Sequence, residues 1–371
     1  MPQSAATAPS RRQLVLLSRL LLLPSGFAVP PSPARDELKR QLLGLRYEAF
    51  KSLATLAQSN HVIVRGLEAF LDLMREERDA ERVQWAQSAL VTERARVAVA
   101  AHFLHEICSA FQEQRYEVAV IKSLDHWPDL GSDLHVYTNA DPADVINLMR
   151  RQFGARIARR SWGERLTHQW NFQIPGLPES VAVHIGRWGQ TGEQLTFASS
   201  LIARSSHALR GGYRYRVPSA SDRITISALQ WMRRHFHFHL CDVVDTAMLA
   251  DADVIDYGDL LAAAQAAGIW EGVATYLAII SDYLASFRGA GFEIPSFVAA
   301  SAQFGGGDIL FGNGFLRVPI VPQSARLYQS QLASALEQVE FDNGVRLGLL
   351  PCLATAAMLG QKLTASGKPV W

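Results

Sequence analysis

Apolar residues at helical spacing dominate the first third of the chain. After Asp36, a residue type that caps helices, leucines recur every three or four positions. Two further apolar stripes with the same period follow at 62–75 and 81–112. The pattern predicts three or four packed helices over residues 35–112.

The pattern changes to short alternating runs after residue 112. The runs at 116–122 and 134–137 are rich in β-branched residues and are separated by turn-forming residues. Three more strand-like stretches follow, at 155–161, 167–174 and 180–186. A helix is predicted between the second and third strands, opening at Asp141-Pro142. Residues 113–215 are therefore expected to form a small mixed α/β unit.

Helical periodicity returns from Ser221 onwards. Helices are predicted at 221–250, 257–267, 270–287, 324–338 and 345–365, and a loop or hairpin at 305–314. The expected fold is α+β, with a small mixed-sheet core flanked by N-terminal and C-terminal helical regions. The predicted parts are an N-terminal segment 1–34, a helical region 35–112, the α/β core 113–215 and a helical region 216–371.

The N-terminal segment has two possible interpretations. Two arginines precede an apolar run at 14–23, and small residues and prolines follow, which loosely matches a secretory signal. Arg19 lies inside the apolar run, however, and a charge there hinders a secretory signal from entering a membrane. We therefore expect an amphipathic helix ended by Pro24, followed by a Pro-rich stretch. No other segment reaches the ~20 apolar residues that a membrane span needs.

Composition places the chain among globular proteins and indicates neither nucleic-acid binding nor a disulfide framework. Hydrophobic residues make up 49% and charged residues 19% of 371 residues, which is typical of globular proteins. The net charge of +1 gives no strong signal for nucleic-acid binding. The three cysteines are far apart, which fits a reducing cytoplasm better than a disulfide framework. They are Cys108, Cys241 and Cys352.

The segment 118–137 carries the most specific chemistry. Lys122 ends a predicted strand and is the only lysine between Lys51 and Lys362. Gly131-Ser132 forms a turn whose backbone N–H groups can hold a phosphate. The next strand begins with Asp133 and His135, which lie two residues apart and therefore share a face. The pattern indicates a site for an anionic phosphoryl ligand.

These residues resemble the bacterial nucleotidyltransferase-like family of the polymerase-beta-type superfamily. Its members carry Lys-Gly at a strand end, Asp-x-Asp on the next strand, a later Asp-x-His-Trp-like run and a His-rich helical tail. The corresponding elements here are Lys122-Ser123, Asp133-Leu134-His135, Ala182-Val183-His184 and the stretch 235–249. The similarity covers roughly residues 90–280.

The resemblance implies binding of a nucleoside triphosphate and transfer of a nucleotidyl group. Asp133, with His135, would hold a divalent metal, Mg²⁺ or Mn²⁺. Lys122, Gly131 and Ser132 would bind the phosphates. Asp133, His135 and His184 would form the catalytic group, with a histidine as metal ligand or general base. The acceptor, whether small molecule, sugar or protein, is not identified by the sequence.

Three departures from the family pattern leave the activity open. Ser123 replaces the usual glycine, His135 replaces the second carboxylate and Ala182 replaces the third. A site for two Mg²⁺ ions is then incomplete, because Mg²⁺ prefers oxygen ligands. The alternatives are one metal on Asp133 and the phosphates, or Mn²⁺ or Zn²⁺ on Asp133, His135 and His184. A further alternative is a catalytically degraded protein that keeps the fold for binding or scaffolding.

A second candidate cluster lies in the stretch 231–245. If this stretch is one helix, His235, His239 and Asp242 share one face and can bind a transition metal. The competing interpretation is that these side chains only form hydrogen bonds with the α/β core.

Overall fold

A computed structural model gives the fold. It describes residues 11–23, 32–189, 192, 194–233, 237–306, 310–312, 315–317, 327–329, 331–333, 345 and 348.

Five helices precede the sheet. They are α1 (Arg11–Leu22), α2 (Pro33–Leu43), α3 (Tyr47–Ser59), α4 (Ile63–Glu76) and α5 (Ala80–Glu113). Local capping sets two of their starts: the Ser32 side chain accepts a hydrogen bond from the Arg35 backbone N–H, and Asp79 accepts one from that of Arg82. The described part of 35–112 thus contains four helices, in line with the predicted three or four.

The central sheet has five strands. They are β1 (Val118–Val120), β2 (Asp133–Thr138), β3 (Arg156–Ile157), β4 (Gln169–Gln173) and β5 (Ser180–Ile185). Their order across the sheet is β1-β2-β5-β4-β3. β2 and β5 run parallel, and the other neighbouring pairs are antiparallel. The connection from β2 to β5 contains α6 (Pro142–Phe153) and α7 (Trp162–Leu166).

Both faces of this sheet are covered, because its strands alternate between two cores. Leu134 and Val136 of β2 point towards α5 and α6, in a core shared with Val181 and Val183 of β5. Tyr137 points to the opposite side and joins the core of the surrounding helices. Residues of β2 at odd positions, including Asp133 and His135, therefore face the helical side of the sheet.

The C-terminal half begins with a helix and a hairpin and continues mainly as helices. Its elements are α8 (Leu195–Ala203), β6 (Ser206–Arg210), β7 (Tyr213–Val217), α9 (Ala220–Arg233), β8 (His237–Phe238), α10 (Leu240–Asp251), α11 (Tyr257–Ala266), α12 (Trp270–Arg288), α13 (Ser296–Ser301), β9 (Leu310–Gly312) and β10 (Phe315–Arg317). The β6–β7 hairpin packs on α5, where the Tyr215 hydroxyl donates a hydrogen bond to the Ala101 carbonyl at 2.7 Å.

The first described helix, α1, and α12 of the C-terminal half share one hydrophobic core. Leu14 and Leu17 of α1 are each 1% exposed and belong to the same core as the apolar face of α12. The hydroxyl oxygens of Ser18 and Tyr283 lie 2.6 Å apart within it. The charge of Arg19 at the end of this helix is compatible with the packing, since Arg19 is only partly buried.

The predicted α+β fold, a small mixed sheet flanked by helical regions, is confirmed. The predicted single helix at 221–250 is wrong, because α9 ends at Arg233 and α10 begins at Leu240. Between them β8 pairs with β10, with Phe238 opposite Leu316. Of the predicted helix at 324–338, residues 327–329 and 331–333 are described and are helical; of that at 345–365, residues 345 and 348 are described and are helical, and the remainder of both lies outside the described residues. The 305–314 stretch contains β9, which pairs antiparallel with β10, the strand that follows it.

Within the described residues, every helix is too short or too polar to cross a membrane.

Candidate functional site

The end of β1 places Lys122 in an unusual backbone conformation. The Ile121 N–H still pairs with the carbonyl of His135 at 3.1 Å, but Lys122 then turns into the left-handed region at φ 66°. The Ser123 hydroxyl accepts the His135 backbone N–H at 2.7 Å. Ser123 thereby ties the turn after β1 to β2.

The loop that follows is held by buried side chains. Leu124 and Leu130 insert into the core between the sheet and α5. Asp129 is fully buried and accepts two hydrogen bonds from the start of α4, from the Val64 N–H at 2.5 Å and from Arg65 Nε at 2.7 Å. The loop between β1 and β2 is therefore fixed against α4, and its polar residues have defined positions.

A polar cavity of about 200 Å³ opens between this loop, β2 and two helix starts. Its lining combines one amine, one carboxylate, two hydroxyls and four imidazoles. The lining residues are His61, Lys122, Ser123, His126, Gly131, Ser132, Asp133, His135 and His239. Lys122, Gly131, Ser132, Asp133 and His135, all predicted from the sequence, thus lie together in one cavity.

Asp133 is the carboxylate of this cavity. Although Asp133 is exposed by surface area, nearby protein atoms partly desolvate its carboxyl group and raise its pKa, and the charge of Lys122 offsets part of that increase. The Ser132 hydroxyl lies 3.4 Å from its Oδ2 atom. An acid whose ionised form is disfavoured in the free protein is suited to binding a cation, because a cation would favour the carboxylate.

His135 and His184 form a contacting pair. His135 lines the cavity, while His184 is buried behind it, with its Nε2 atom 3.1 Å from Nδ1 of His135. The His184 ring also packs on Trp188. In the parallel pairing of β2 with β5, His135 lies opposite Ala182. A methyl group, and no third carboxylate, therefore lies beside His135 on β5.

His126 lies at the other side of the cavity in a buried ionic network. Its Nδ1 atom forms a short hydrogen bond with Oδ2 of Asp245, and Arg65 donates to Oδ1 of the same carboxylate at 2.6 Å. Burial opposes ionisation of Asp245, but the charges of Arg65 and His126 outweigh it, so its pKa is lowered. With Nδ1 engaged, Nε2 is the nitrogen with which His126 can act on a ligand.

His61 and His239 complete the wall; His61 lies two residues before α4, and His239 directly precedes α10. The His61 ring lies against Gly131, where an added Cβ would come within 3.4 Å of its Cε1 atom. The rings of His61 and His239 lie 5.1 Å apart, and those of His61 and His126 stack at 5.8 Å. The cavity thus brings together histidines from four separate parts of the chain.

The second predicted cluster is not the arrangement that the sequence suggested. His235 lies outside the described residues. His239 precedes α10, and its backbone N–H donates to the Asp242 carboxylate at 2.9 Å, which caps that helix. The expectation of one helical face holding all three residues is wrong, because the helix is broken by β8.

Sequence reasoning missed His61 and His126. His126 lies inside the segment that was singled out, but a lone histidine among turn residues has no spacing that indicates its partner. His61 reaches the cavity through the packing of α4, for which the sequence carries no signal.

The amine and the imidazoles of the cavity suit an anionic ligand, and the carboxylate suits a cation. The donor set therefore favours an anionic ligand bound together with a cation. Comparison with protein-family models, curated proteins and solved structures finds no match to this chain.

Proposed function

We propose that this protein binds a nucleoside triphosphate and transfers its nucleotidyl group to an acceptor. The observation that carries the proposal is that Lys122, Ser132 and Asp133 line one polar cavity. A lysine and a Gly-Ser turn suit phosphate oxygens, and a neighbouring carboxylate suits the divalent ion that accompanies a triphosphate. The resemblance to nucleotidyltransferase-like proteins rests on the same residues.

In this proposal each lining residue has a distinct role. Asp133 holds Mg²⁺ or Mn²⁺ together with the phosphates. His135 serves as a further ligand, for which Mn²⁺ is better suited than Mg²⁺, or accepts the proton of the acceptor hydroxyl. His184 orients the His135 ring through their 3.1 Å contact.

The size of the cavity limits which part of the ligand it takes. Pockets that enclose a whole drug-sized ligand usually have about 300–1,000 Å³, and this cavity has about 200 Å³. The phosphate groups are the part that fits, so the base and sugar would lie outside, against the rim. Selectivity for the base would then be weak.

Ala182 favours a second candidate function, nucleotide binding without transfer. Two-metal transfer needs carboxylates on both sides of the ion pair, and the residue opposite His135 on β5 is alanine. A nucleotide held by Lys122 and one ion on Asp133 would then act as a bound ligand in a binding or scaffolding protein.

A screen of nucleotides and metals separates the two candidates. Thermal melting is measured with each common NTP in Mg²⁺ or Mn²⁺, because a ligand of the folded state raises the melting temperature. Pyrophosphate release is measured in parallel, with wild type and Asp133→Ala. Pyrophosphate release by wild type that is lost in Asp133→Ala supports transfer. A melting shift without pyrophosphate release supports binding alone. If no nucleotide causes either a melting shift or pyrophosphate release, both candidates are contradicted.

A further inference from the structure

Three potential metal ligands of different types converge below the cavity. Cys241 and Asp245 lie four residues apart on α10 and so share one face of the helix. His126 reaches them from the loop between β1 and β2. Ligand atoms of the three residues lie within 4.8 Å of one another, and all three residues are buried.

The charges around this cluster are unbalanced without an additional cation or proton. The Arg65 guanidinium contacts two buried carboxylates, Asp129 and Asp245. With His126 neutral, one positive charge faces two largely buried carboxylates, so the group is balanced either by a proton on His126 or by a bound cation. Buried charges are stable only when they are compensated.

We infer that His126, Cys241 and Asp245 bind a transition-metal ion, with Zn²⁺ as the expected occupant. A thiolate, an imidazole and a carboxylate form a donor set that suits Zn²⁺ or Co²⁺ and does not suit Mg²⁺. This site is separate from the Asp133 cation site and does not depend on nucleotide binding.

The surrounding contacts fit such a site. Arg65 holds Oδ1 of Asp245, so Oδ2 is the oxygen directed at His126. Binding of the ion displaces the proton shared by Oδ2 and His126 Nδ1, and the Cys241 thiol releases its own proton. His126 also lines the cavity, which supplies an entry path for the ion.

Cobalt substitution tests this site directly. The full chain is stripped with a chelator and titrated with Co²⁺, and the thiolate-to-cobalt charge-transfer absorption is followed. A double variant, Cys108→Ser with Cys352→Ser, leaves Cys241 as the only cysteine. We expect one Co²⁺ per chain and the same absorption in wild type and in the double variant, and competition by Zn²⁺.

Removing individual ligands provides the complementary measurement. Cys241→Ser should abolish the absorption, and His126→Gln should weaken binding by about 100-fold or more, beyond what loss of an outer contact causes. Circular dichroism confirms that each variant is folded. Failure of wild type to bind Co²⁺ or Zn²⁺ stoichiometrically would overturn the inference, as would loss of the absorption in the double variant. In either case the His126–Asp245 pair holds a proton alone.

Discussion

At the scale of single residues, Lys122 combines an unfavourable backbone with a chemically useful side chain. Its φ of 66° lies in the left-handed region, which costs a non-glycine residue about 1 kcal/mol or more. The surrounding contacts, above all Ser123 with His135, hold it there. A lysine retained at such a position, in a chain with few lysines, is consistent with a binding role for its amine.

Replacing Lys122 by glycine should separate stability from binding. Lys122→Gly removes both the amine and the backbone strain, so we expect the free energy of unfolding to stay constant or rise by up to about 1 kcal/mol. Lys51→Gly, in the middle of α3, should lower it by about 1 kcal/mol. Urea unfolding measures both. Equal destabilisation by the two changes would contradict the role assigned to the turn.

Ionisation of the Asp133 carboxyl group should lower the stability of the folded protein. Its pKa is raised in the folded protein, so the ionised form lowers stability above that pKa, and the effect disappears below the pKa of the unfolded chain. Asp133→Asn is therefore expected to raise the melting temperature at pH 7, with a smaller gain as the pH falls towards about 4. Asp72→Asn, on the exposed face of α4, serves as the control. A lower melting temperature for Asp133→Asn at pH 7 would contradict this.

The sequence could predict which candidate residues lie close together where their proximity follows from local spacing. Lys122, Ser132 and Asp133 are brought together by two adjacent strands and one turn, which the alternating pattern already indicates. His61 and His126 join them through the contact of α4 with the loop, set by buried Asp129 and Arg65. Long-range ion pairs of this kind leave no period in the sequence.

At the scale of elements, the break between α9 and α10 decides what the histidine-rich stretch does. The letters His-Phe-His-Phe at 235–238 alternate with a period of two, which is a strand pattern, although helical residues flank them. β8 pairs with β10, which lies about 80 residues further along the chain, and local periodicity carries no signal for such a distant partner. The helical pattern on both sides therefore predicted one continuous helix. Asp242 consequently caps α10.

The capping role of Asp242 is testable. Asp242 is 4% exposed and accepts the His239 backbone N–H, so Asp242→Ala leaves a buried donor without its acceptor. We expect a loss of about 1–2 kcal/mol in the free energy of unfolding. Asp36→Ala, in the exposed first turn of α2, should change it by no more than about 0.5 kcal/mol. A negligible effect of Asp242→Ala would show that the cap does not stabilise α10.

At the scale of the whole molecule, Arg65 joins three regions that are far apart in the chain. It connects α4 to Asp129 in the loop after β1 and to Asp245 in α10. The charges of these carboxylates raise the pKa of the guanidinium despite its burial. The sequence predicted the α+β class from hydrophobic periodicity, but not this connection, nor the packing of α1 against α12.

Removing Arg65 should destabilise the protein strongly and in a pH-dependent manner. Arg65→Met leaves two buried carboxylates without their cation, for which we expect a loss of about 3–5 kcal/mol at pH 7. Asp245, whose pKa is lowered, contributes stability above its unfolded pKa and loses it as the pH falls through the folded value. The difference between wild type and Arg65→Met should therefore shrink on acidification.

The matched control is Arg94→Met, which removes an exposed ion pair with Glu68 on the surface of α5. It should cost no more than about 1 kcal/mol. Denaturant unfolding at several pH values measures both variants. A loss for Arg65→Met that is as small as that for Arg94→Met would exclude a central role for the network.

Calorimetric titration of Mg²⁺- or Mn²⁺-bound ATP into wild type and Lys122→Gly tests most directly whether the cavity binds a phosphoryl ligand. Binding is expected in wild type and in Lys51→Ala, which lacks only an exposed lysine. It is expected to disappear in folded Lys122→Gly. Equal binding by wild type and Lys122→Gly, or no binding by any of the three, would contradict the assignment of this cavity.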